Sequence, residues 1–245
     1  MAKEKKLEKK EKNCYLKSIL RLICKGVLSV FAYFWAIGII RTFIQYTDSD
    51  DGIMGVPEPF FYFICTFSIG TILIAFFENR FSRHYLYCHE LTHAIFAILT
   101  GSKISNLKIH KTSASIKVSK PNLIVVLAPY IISLHILFFL FLYGCFSVAF
   151  PNCSNIYHNF FTILIGFSAS FHFLFTVKSL LQKQTDFERS GFFFSYLLIT
   201  TLNLAGAMTI FTCIDKISFN YFIRSSLSHT FDTITKIWIN IINII

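Results

Sequence analysis

The stretch FFFSYLLITTLNLAGAMTIFTCI, residues Phe192–Ile214, determines the fold class of this chain. It is 23 residues long and contains no charged residue. A helix of about 20 apolar residues is long enough to cross the hydrocarbon core of a bilayer. We therefore predict an all-α polytopic membrane protein with five to six transmembrane helices. Four further apolar runs are predicted spans: Leu22–Ile44, Phe60–Phe77, Asn122–Phe150 and Ile156–Leu181.

The composition agrees with this class. Hydrophobic residues make up 54% of the 245 positions, 30 of them are phenylalanine, and the mean hydropathy is +0.59. A soluble domain of this size would not contain so many apolar runs of spanning length. The seven cysteines are scattered without a C-x-x-C spacing, which argues against a disulfide framework. Phe-rich and Lys-rich composition without an organelle signal favours a bacterial cytoplasmic membrane.

The net charge of +10 is concentrated near the N-terminus. We predict that residues 1–21 form a disordered, basic cytoplasmic tail that rests on anionic lipid. The tail lacks interleaved aromatic residues and any recognisable nucleic-acid-binding module, so we predict no nucleic-acid partner. The loop after the first span, Thr47–Glu58, contains four acidic residues and no basic one. Both ends of the first span therefore obey the positive-inside rule.

An H-E-x-x-H motif, HELTH at 89–93, lies inside the apolar stretch Tyr85–Leu99. Residues four apart on a helix differ by about 40° around its axis, so the imidazoles of His89 and His93 point the same way. Two such imidazoles are half of a zinc site, and Glu90 could take a proton from the attacking water. The alternative is a buried polar cluster without a metal.

A catalytic zinc site usually has three protein ligands, so a third ligand must come from elsewhere in the chain. Between Leu91 and Ile214 the only acidic residues are Asp186 and Glu188. They lie between two long apolar runs, where an ordinary solvated loop is the alternative interpretation. Cys88 is a weak candidate because it would point about 100° away from the first histidine of the motif. The histidine candidates are His110, His135, His158 and His172.

Four segments in this order resemble the site-2 protease family of intramembrane zinc metalloproteases, particularly its small bacterial members. The segments are CHELTHA at 88–94 with Thr-Gly at 100–101, the polar alternating stretch 103–119, LAPY at 127–130, and FHFLFT at 171–176 with QTD at 184–186 and Gly191. They extend over about residues 85–191, nearly half of the chain. The first segment is typical of zinc proteases in general, and the order and spacing of all four indicate this family.

The resemblance implies a Zn²⁺ ion bound by His89, His93 and Asp186, with Glu90 as the catalytic base. In the family, asparagine and prolines precede an Asp-Gly pair, whereas here a phenylalanine follows the aspartate. Glu188 therefore stays the alternative third ligand.

The implied function is intramembrane zinc metalloprotease, an endopeptidase that hydrolyses peptide bonds of membrane-spanning or membrane-associated proteins. Its partners would be a membrane protein substrate, the lipid bilayer and a regulatory membrane protein. Residues 22–214 would form the membrane-embedded protease domain, and residues 215–245 an amphipathic or peripheral C-terminal segment. The alternatives are a non-catalytic relative that binds membrane helices, or a different membrane metalloprotease of protein quality control with Glu188 as ligand. A transporter would show repeated broken helices, which the sequence does not indicate.

Charge and zinc geometry together predict the topology. The motif segment His84–Thr100 is short for a full crossing. If it is re-entrant, Asp186 and the lysines between 103 and 120 lie on the cytoplasmic side with the histidines, and the C-terminus lies outside. The alternation of Ile104–Val118 predicts a short β-hairpin near the site. Pro129 would kink its helix, either as a packing feature or to free a carbonyl near the site.

Overall fold

The computed structural model describes residues 2–47, 58–109, 114–119, 121–151, 155–182, 187, 191–214 and 218–243. This part of the chain is mainly helical, with one small antiparallel sheet. The elements are α1 Ala2–Thr47, α2 Glu58–Phe76, α3 Glu78–Leu99, β1 Ile104–Ile109, β2 Ala114–Val118, α4 Leu123–Ile131, α5 Leu134–Ala149, α6 Asn155–Leu181, α7 Phe192–Ile214 and α8 Phe219–Ile242.

Four helices are long and apolar enough to cross a membrane: Lys17–Tyr46 of α1, and the whole of α2, α6 and α7. The pair α4 and α5 gives a fifth if it counts as one span. Four of the five predicted spans are thus single helices of spanning length. Among the described helices, α3 and α8 do not qualify, because their sequences are too polar.

The predicted span Asn122–Phe150 consists of two helices, α4 and α5, instead of one continuous helix. The chain bends by 70° between α4 and α5. Ile132 and Ser133 have extended backbone angles, and the Ser133 hydroxyl accepts a hydrogen bond from the Ile136 amide at the start of α5. Pro129 lies inside α4 and cannot donate the amide hydrogen that continues a helix. A proline followed by a new N-cap therefore ends one helix and starts the next.

The prediction of a disordered N-terminal tail is also wrong, because α1 begins at Ala2 and is 46 residues long. The sequence offers a physical reason. No proline or glycine occurs before Gly26, and residues 2–12 consist almost entirely of Ala, Lys, Glu and Leu, which have high helix propensity. Charge alone does not prevent a helix when the chain continues directly into an apolar one.

Small residues let α6 pack closely along α2. A Cβ atom added at Gly166 would lie 2.2 Å from the Thr66 hydroxyl oxygen, and one added at Gly70 would lie 2.4 Å from the Ser170 hydroxyl oxygen. The bundle also contains a phenylalanine-rich core, in which the rings of Phe60 and Phe63 each meet the Phe211 ring edge to face. Lys178 at the end of α6 forms an ion pair with Glu78 at the start of α3. The close packing fixes α6 beside α2, and the ion pair connects the end of α6 to α3.

The C-terminal helix α8 packs across α1. Gly38 of α1 is so close to α8 that an added Cβ would lie 2.3 Å from the Ser226 carbonyl oxygen. Ser226 and Thr230 are fully buried at this crossing, and the Trp35 indole donates a hydrogen bond of 3.2 Å to the Ser226 hydroxyl. The distal part of α8, including Trp238, exposes large apolar side chains. The predicted amphipathic segment is thus a helix whose first half belongs to the bundle.

The predicted hairpin is confirmed. Strands β1 and β2 pair antiparallel, with Ile104 opposite Val118 and an irregularity between Ser105 and Lys108. Residues 110–113, between the two strands, lie outside the described residues. The hairpin packs against α3, which is the helix that carries the H-E-x-x-H motif.

Candidate metal centre

Helix α3 carries the motif, and the predicted helix Tyr85–Leu99 is confirmed. The helix begins earlier than expected, at Glu78, directly after α2. The His89 and His93 rings lie next to each other, with centroids 4.8 Å apart. Glu90 and His93 are each only 8% exposed, and His89 is half-buried. The helix therefore brings the three motif side chains into the interior.

A backbone carbonyl fixes the tautomer of His93. Its Nδ1 atom lies 2.7 Å from the Val125 carbonyl oxygen. A carbonyl only accepts hydrogen bonds, so Nδ1 donates, and the lone pair of the neutral ring is on Nε2. Metal-binding histidines commonly donate their other ring nitrogen to a carbonyl or carboxylate in this way. His93 is thus in the tautomer that can bind a metal through Nε2.

Pro129 explains why this carbonyl is available. In a regular helix the amide of residue 129 would donate to the carbonyl of Val125, four residues earlier. Proline has no amide hydrogen, and the His93 imidazole makes this hydrogen bond instead. The packing explanation for Pro129 is therefore incomplete, because its position also provides an acceptor for the motif histidine.

Side chains from two helices hold His89. The Tyr85 hydroxyl lies 3.1 Å from His89 Nδ1 and 2.8 Å from the Ser179 hydroxyl of α6. The Tyr85 ring stacks on Phe175, with centroids 4.6 Å apart and planes within 10°. Both motif histidines therefore use Nδ1 for a hydrogen bond. The carbonyl fixes the direction for His93; for His89, the tautomer in which Nδ1 donates to the Tyr85 hydroxyl is the one that can bind a metal through Nε2.

The third predicted ligand, Asp186, and its alternative, Glu188, lie outside the described residues. The residue between them, Phe187, is fully buried. Its ring lies 4.9 Å from that of Tyr130, which in turn lies 5.0 Å from the His89 ring. The chain between the two acidic positions is therefore anchored by an aromatic contact beside the motif.

A small cavity of about 20 Å³ lies between α3, the α4–α5 bend and α6. Its walls include Tyr85, His89, Thr92 and His172. This volume is enough for about one water molecule, and the polar walls could bind it. His172, one of the histidine candidates, lies 3.2 Å from the Asn203 side-chain oxygen, so its ring is bonded within the bundle.

The other histidine candidates have different surroundings. His158 lies 2.8 Å from the Tyr143 hydroxyl, and His110 is outside the described residues. His135 lies beside His84, which was not among the candidate ligands, with 2.7 Å between their Nε2 atoms. The structure thus places His135 in a separate cluster.

That cluster, His84–Cys88–His135, could hold a metal ion, because its three ligand atoms lie within 4.8 Å of one another. The Cys88 sulfur is 3.9 Å from His84 Nε2 and 3.8 Å from His135 Nε2. Burial raises the pKa of the Cys88 thiol. The four-residue spacing of His84 and Cys88 was a visible signal, but nothing local to α3 indicated that His135 would join them.

No protein-family model, curated protein or solved structure matches this chain.

Proposed function

We propose that this protein is an intramembrane zinc metalloprotease of the site-2 protease type, with His89, His93 and Asp186 as zinc ligands and Glu90 as the catalytic base. The observation that carries the proposal is the hydrogen bond from His93 Nδ1 to the Val125 carbonyl. It orients the ring and puts the lone pair on Nε2, as a zinc ligand requires. An ordinary buried polar cluster would need no proline to provide that acceptor.

The surface of the helices supports a membrane location. Val148 is 84% exposed, Phe76 is 82% exposed, and many other large apolar side chains also face outward. Exposed apolar area on this scale is unfavourable in water but suits lipid. If α4 and α5 together cross once and α3 does not cross, Asp186 returns to the side of the bilayer on which α3 begins, as the charge pattern predicts.

The third ligand is part of the proposal. The support for Asp186 is the packing of Phe187, the next residue in the sequence, against Tyr130, whose ring lies beside that of His89. The same contact also supports Glu188 as the alternative. A separate substitution of each carboxylate, with zinc content as the readout, distinguishes them.

The chemistry follows from the motif. Bound zinc supplies a Lewis acid that polarises the scissile carbonyl and makes the attacking water more acidic. Glu90 takes the proton of that water and passes it to the leaving amine. The cavity beside His89 admits water from one side of α3. Tyr85 and Ser179 hold the His89 ring in place while the substrate is bound.

Substrate recognition would involve the hairpin next to α3. A helical substrate must unwind locally before its peptide bond can be attacked, because a helix hydrogen-bonds its own backbone. An unwound segment could pair with an exposed strand edge, which recognises the main chain with little dependence on side chains. This mode suits an enzyme that cleaves several membrane protein substrates.

The test uses purified full-length protein, reconstituted with a panel of single-span reporter proteins that carry different transmembrane helices. We expect the zinc-loaded wild type to cleave at least one reporter. Glu90→Gln should keep its zinc and lose about 10²–10⁴-fold in rate. The matched control is Glu78→Gln on the same helix, whose half-exposed ion pair with Lys178 contributes little. Full activity in Glu90→Gln, or no cleavage of any reporter by zinc-loaded wild type, would refute the proposal.

A further inference from the structure

We propose that His84, Cys88 and His135 form a second metal site, which binds a zinc ion through one thiolate and two imidazoles. This site is separate from the His89–His93 centre and does not depend on the protease function. Two imidazoles and a cysteine are ligands that zinc commonly has in proteins. Three protein ligands leave the fourth tetrahedral position for water.

The positions on α3 make two distinct sites. At about 100° per residue, the pair His84 and Cys88 points about 140° away from the pair His89 and His93. Tyr85 and Thr92, which also line the cavity, lie between the two pairs around the helix axis. One ion therefore could not be shared by both pairs, and a second ion would lie on the opposite flank of the same cavity.

The distances are close to those of a tetrahedral zinc site. With Zn–N bonds of about 2.05 Å and a Zn–S bond of about 2.3 Å, the expected separations are about 3.4 Å between nitrogens and about 3.6 Å between sulfur and nitrogen. The sulfur–nitrogen distances are 3.9 Å for His84 and 3.8 Å for His135. The nitrogens of His84 and His135, at 2.7 Å, would have to separate by about 0.7 Å.

The His84 and His135 nitrogens can move apart by this distance because at least one of the two rings has room to rotate. The His84 side chain is exposed and His135 is half-buried. The Phe171 ring forms one wall of the cluster, with its centroid 5.8 Å from that of His84 and 5.1 Å from that of His135. A small rotation of the exposed ring opens the nitrogen pair without disturbing the packed wall.

Metal binding changes which atoms of the cluster carry protons. Without metal, one Nε2–H donates to the other Nε2. When zinc binds, the Cys88 thiol releases its proton to water, and the donating imidazole takes up the tautomer with hydrogen on Nδ1. The ion then links α3 to the first turn of α5, directly after the α4–α5 bend. The expected consequence is that a second equivalent of zinc raises the thermal stability of the protein.

Cobalt substitution tests the proposal, because a thiolate–cobalt bond gives a charge-transfer absorption in the near ultraviolet and the His89–His93–Asp186 set contains no sulfur. Metal-free full-length protein in detergent is titrated with Co²⁺, and then with Zn²⁺. We expect the band in wild type and in His93→Ala, and its loss in Cys88→Ser. The matched control, Cys65→Ser on α2, should keep the band.

Three results would overturn the second site. The first is the absence of the cobalt–thiolate band in folded wild type, and the second is an undiminished band in Cys88→Ser. The third is loss of the band in folded His93→Ala, which would mean that the two clusters share a single site. Far-ultraviolet circular dichroism reports folding, and His84→Asn, at an exposed position, is a second variant that should weaken cobalt binding at least tenfold. Failure of the protease proposal would appear separately, as normal cleavage by Glu90→Gln with this band unchanged.

Discussion

The two histidine clusters of α3 differ in what holds them. On one side, His93 is buried and donates to the main-chain carbonyl of Val125, while Tyr85 joins His89 to α6. On the other side, His84 is exposed, and its hydrogen bonds within the described part of the chain go to the side chains of its own cluster. The first arrangement fixes the ring positions before any ligand binds, and the second leaves them adjustable.

This difference matters for function because catalysis needs preorganised groups. A ring held by a backbone carbonyl costs little reorganisation when the metal binds and when the substrate arrives. A cluster held by its own side chains can bind an ion but must rearrange to do so. We therefore propose the catalytic role for the His89–His93 side and only metal binding for the His84–Cys88–His135 side.

The largest expected effect is that of His93→Ala. Loss of a zinc ligand that also donates to a backbone carbonyl should reduce reporter cleavage to the level of a protein-free control, and added zinc should not restore it. The cobalt–sulfur band of the other cluster should be unchanged. His229→Ala on α8, a half-buried histidine bonded to Gln45, is the control. Cleavage by His93→Ala at the wild-type rate would contradict the proposed catalytic role of the His89–His93 side.

The next largest effect should come from Pro129→Ala. The new amide can donate to the Val125 carbonyl and compete with His93, so the zinc affinity should fall by about 10–100-fold. The free energy of unfolding should rise at the same time, since a helix-interior proline is unfavourable. Competition with a fluorescent zinc chelator measures the affinity, and chemical denaturation measures the stability. Unchanged affinity would show that the carbonyl contact has no part in zinc binding.

Tyr85→Phe should have a smaller effect than Pro129→Ala and should lower the zinc affinity by about tenfold. The hydroxyl of Tyr85 is 3.1 Å from His89, a longer contact than that of His93 with its carbonyl. Phenylalanine keeps the ring stacked on Phe175, so the protein should stay folded. The same chelator competition applies, and Ser179→Ala should show part of the loss. A Tyr85→Phe variant with wild-type affinity would contradict this anchor.

The smallest expected effect on the site is that of Gly166→Ala, which acts on the position of α6. The added methyl group would be 2.2 Å from the Thr66 hydroxyl oxygen and 3.0 Å from the Phe63 carbonyl oxygen. We expect a loss of about 1–3 kcal/mol in the free energy of unfolding, with less than a tenfold change in zinc affinity. Gly144→Ala, which has open space, should be neutral. Equal stability of the two variants would contradict the close packing of α6 on α2.

The local features of this protein could be predicted from its sequence, and the long-range ones could not. The apolar runs, the helix around the H-E-x-x-H motif and the hairpin follow from periodicity and length. The sequence also indicated that Pro129 could free a carbonyl. It could not identify His93 as the donor, because that contact depends on how α3 packs against α4.

The second cluster was missed for the same reason. His135 is 47 residues from Cys88, and the bend between α4 and α5 brings them together. Hydropathy identifies Asn122–Phe150 as one apolar run and does not indicate a bend of 70° after Ile131. The prediction of a disordered N-terminal tail fails for another reason. The high charge of the tail favours disorder, but the helix propensity of residues 2–12 is high, and these residues are helical.

The most direct test of the central claim is the zinc content of the purified full-length protein, measured in a Cys88→Ser background so that only the His89–His93 centre contributes. The account predicts about one zinc ion per chain, lost or strongly reduced in both His89→Ala and Asp186→Ala. A folded Cys88→Ser protein that holds no zinc, even after zinc is resupplied, would contradict the metalloprotease assignment.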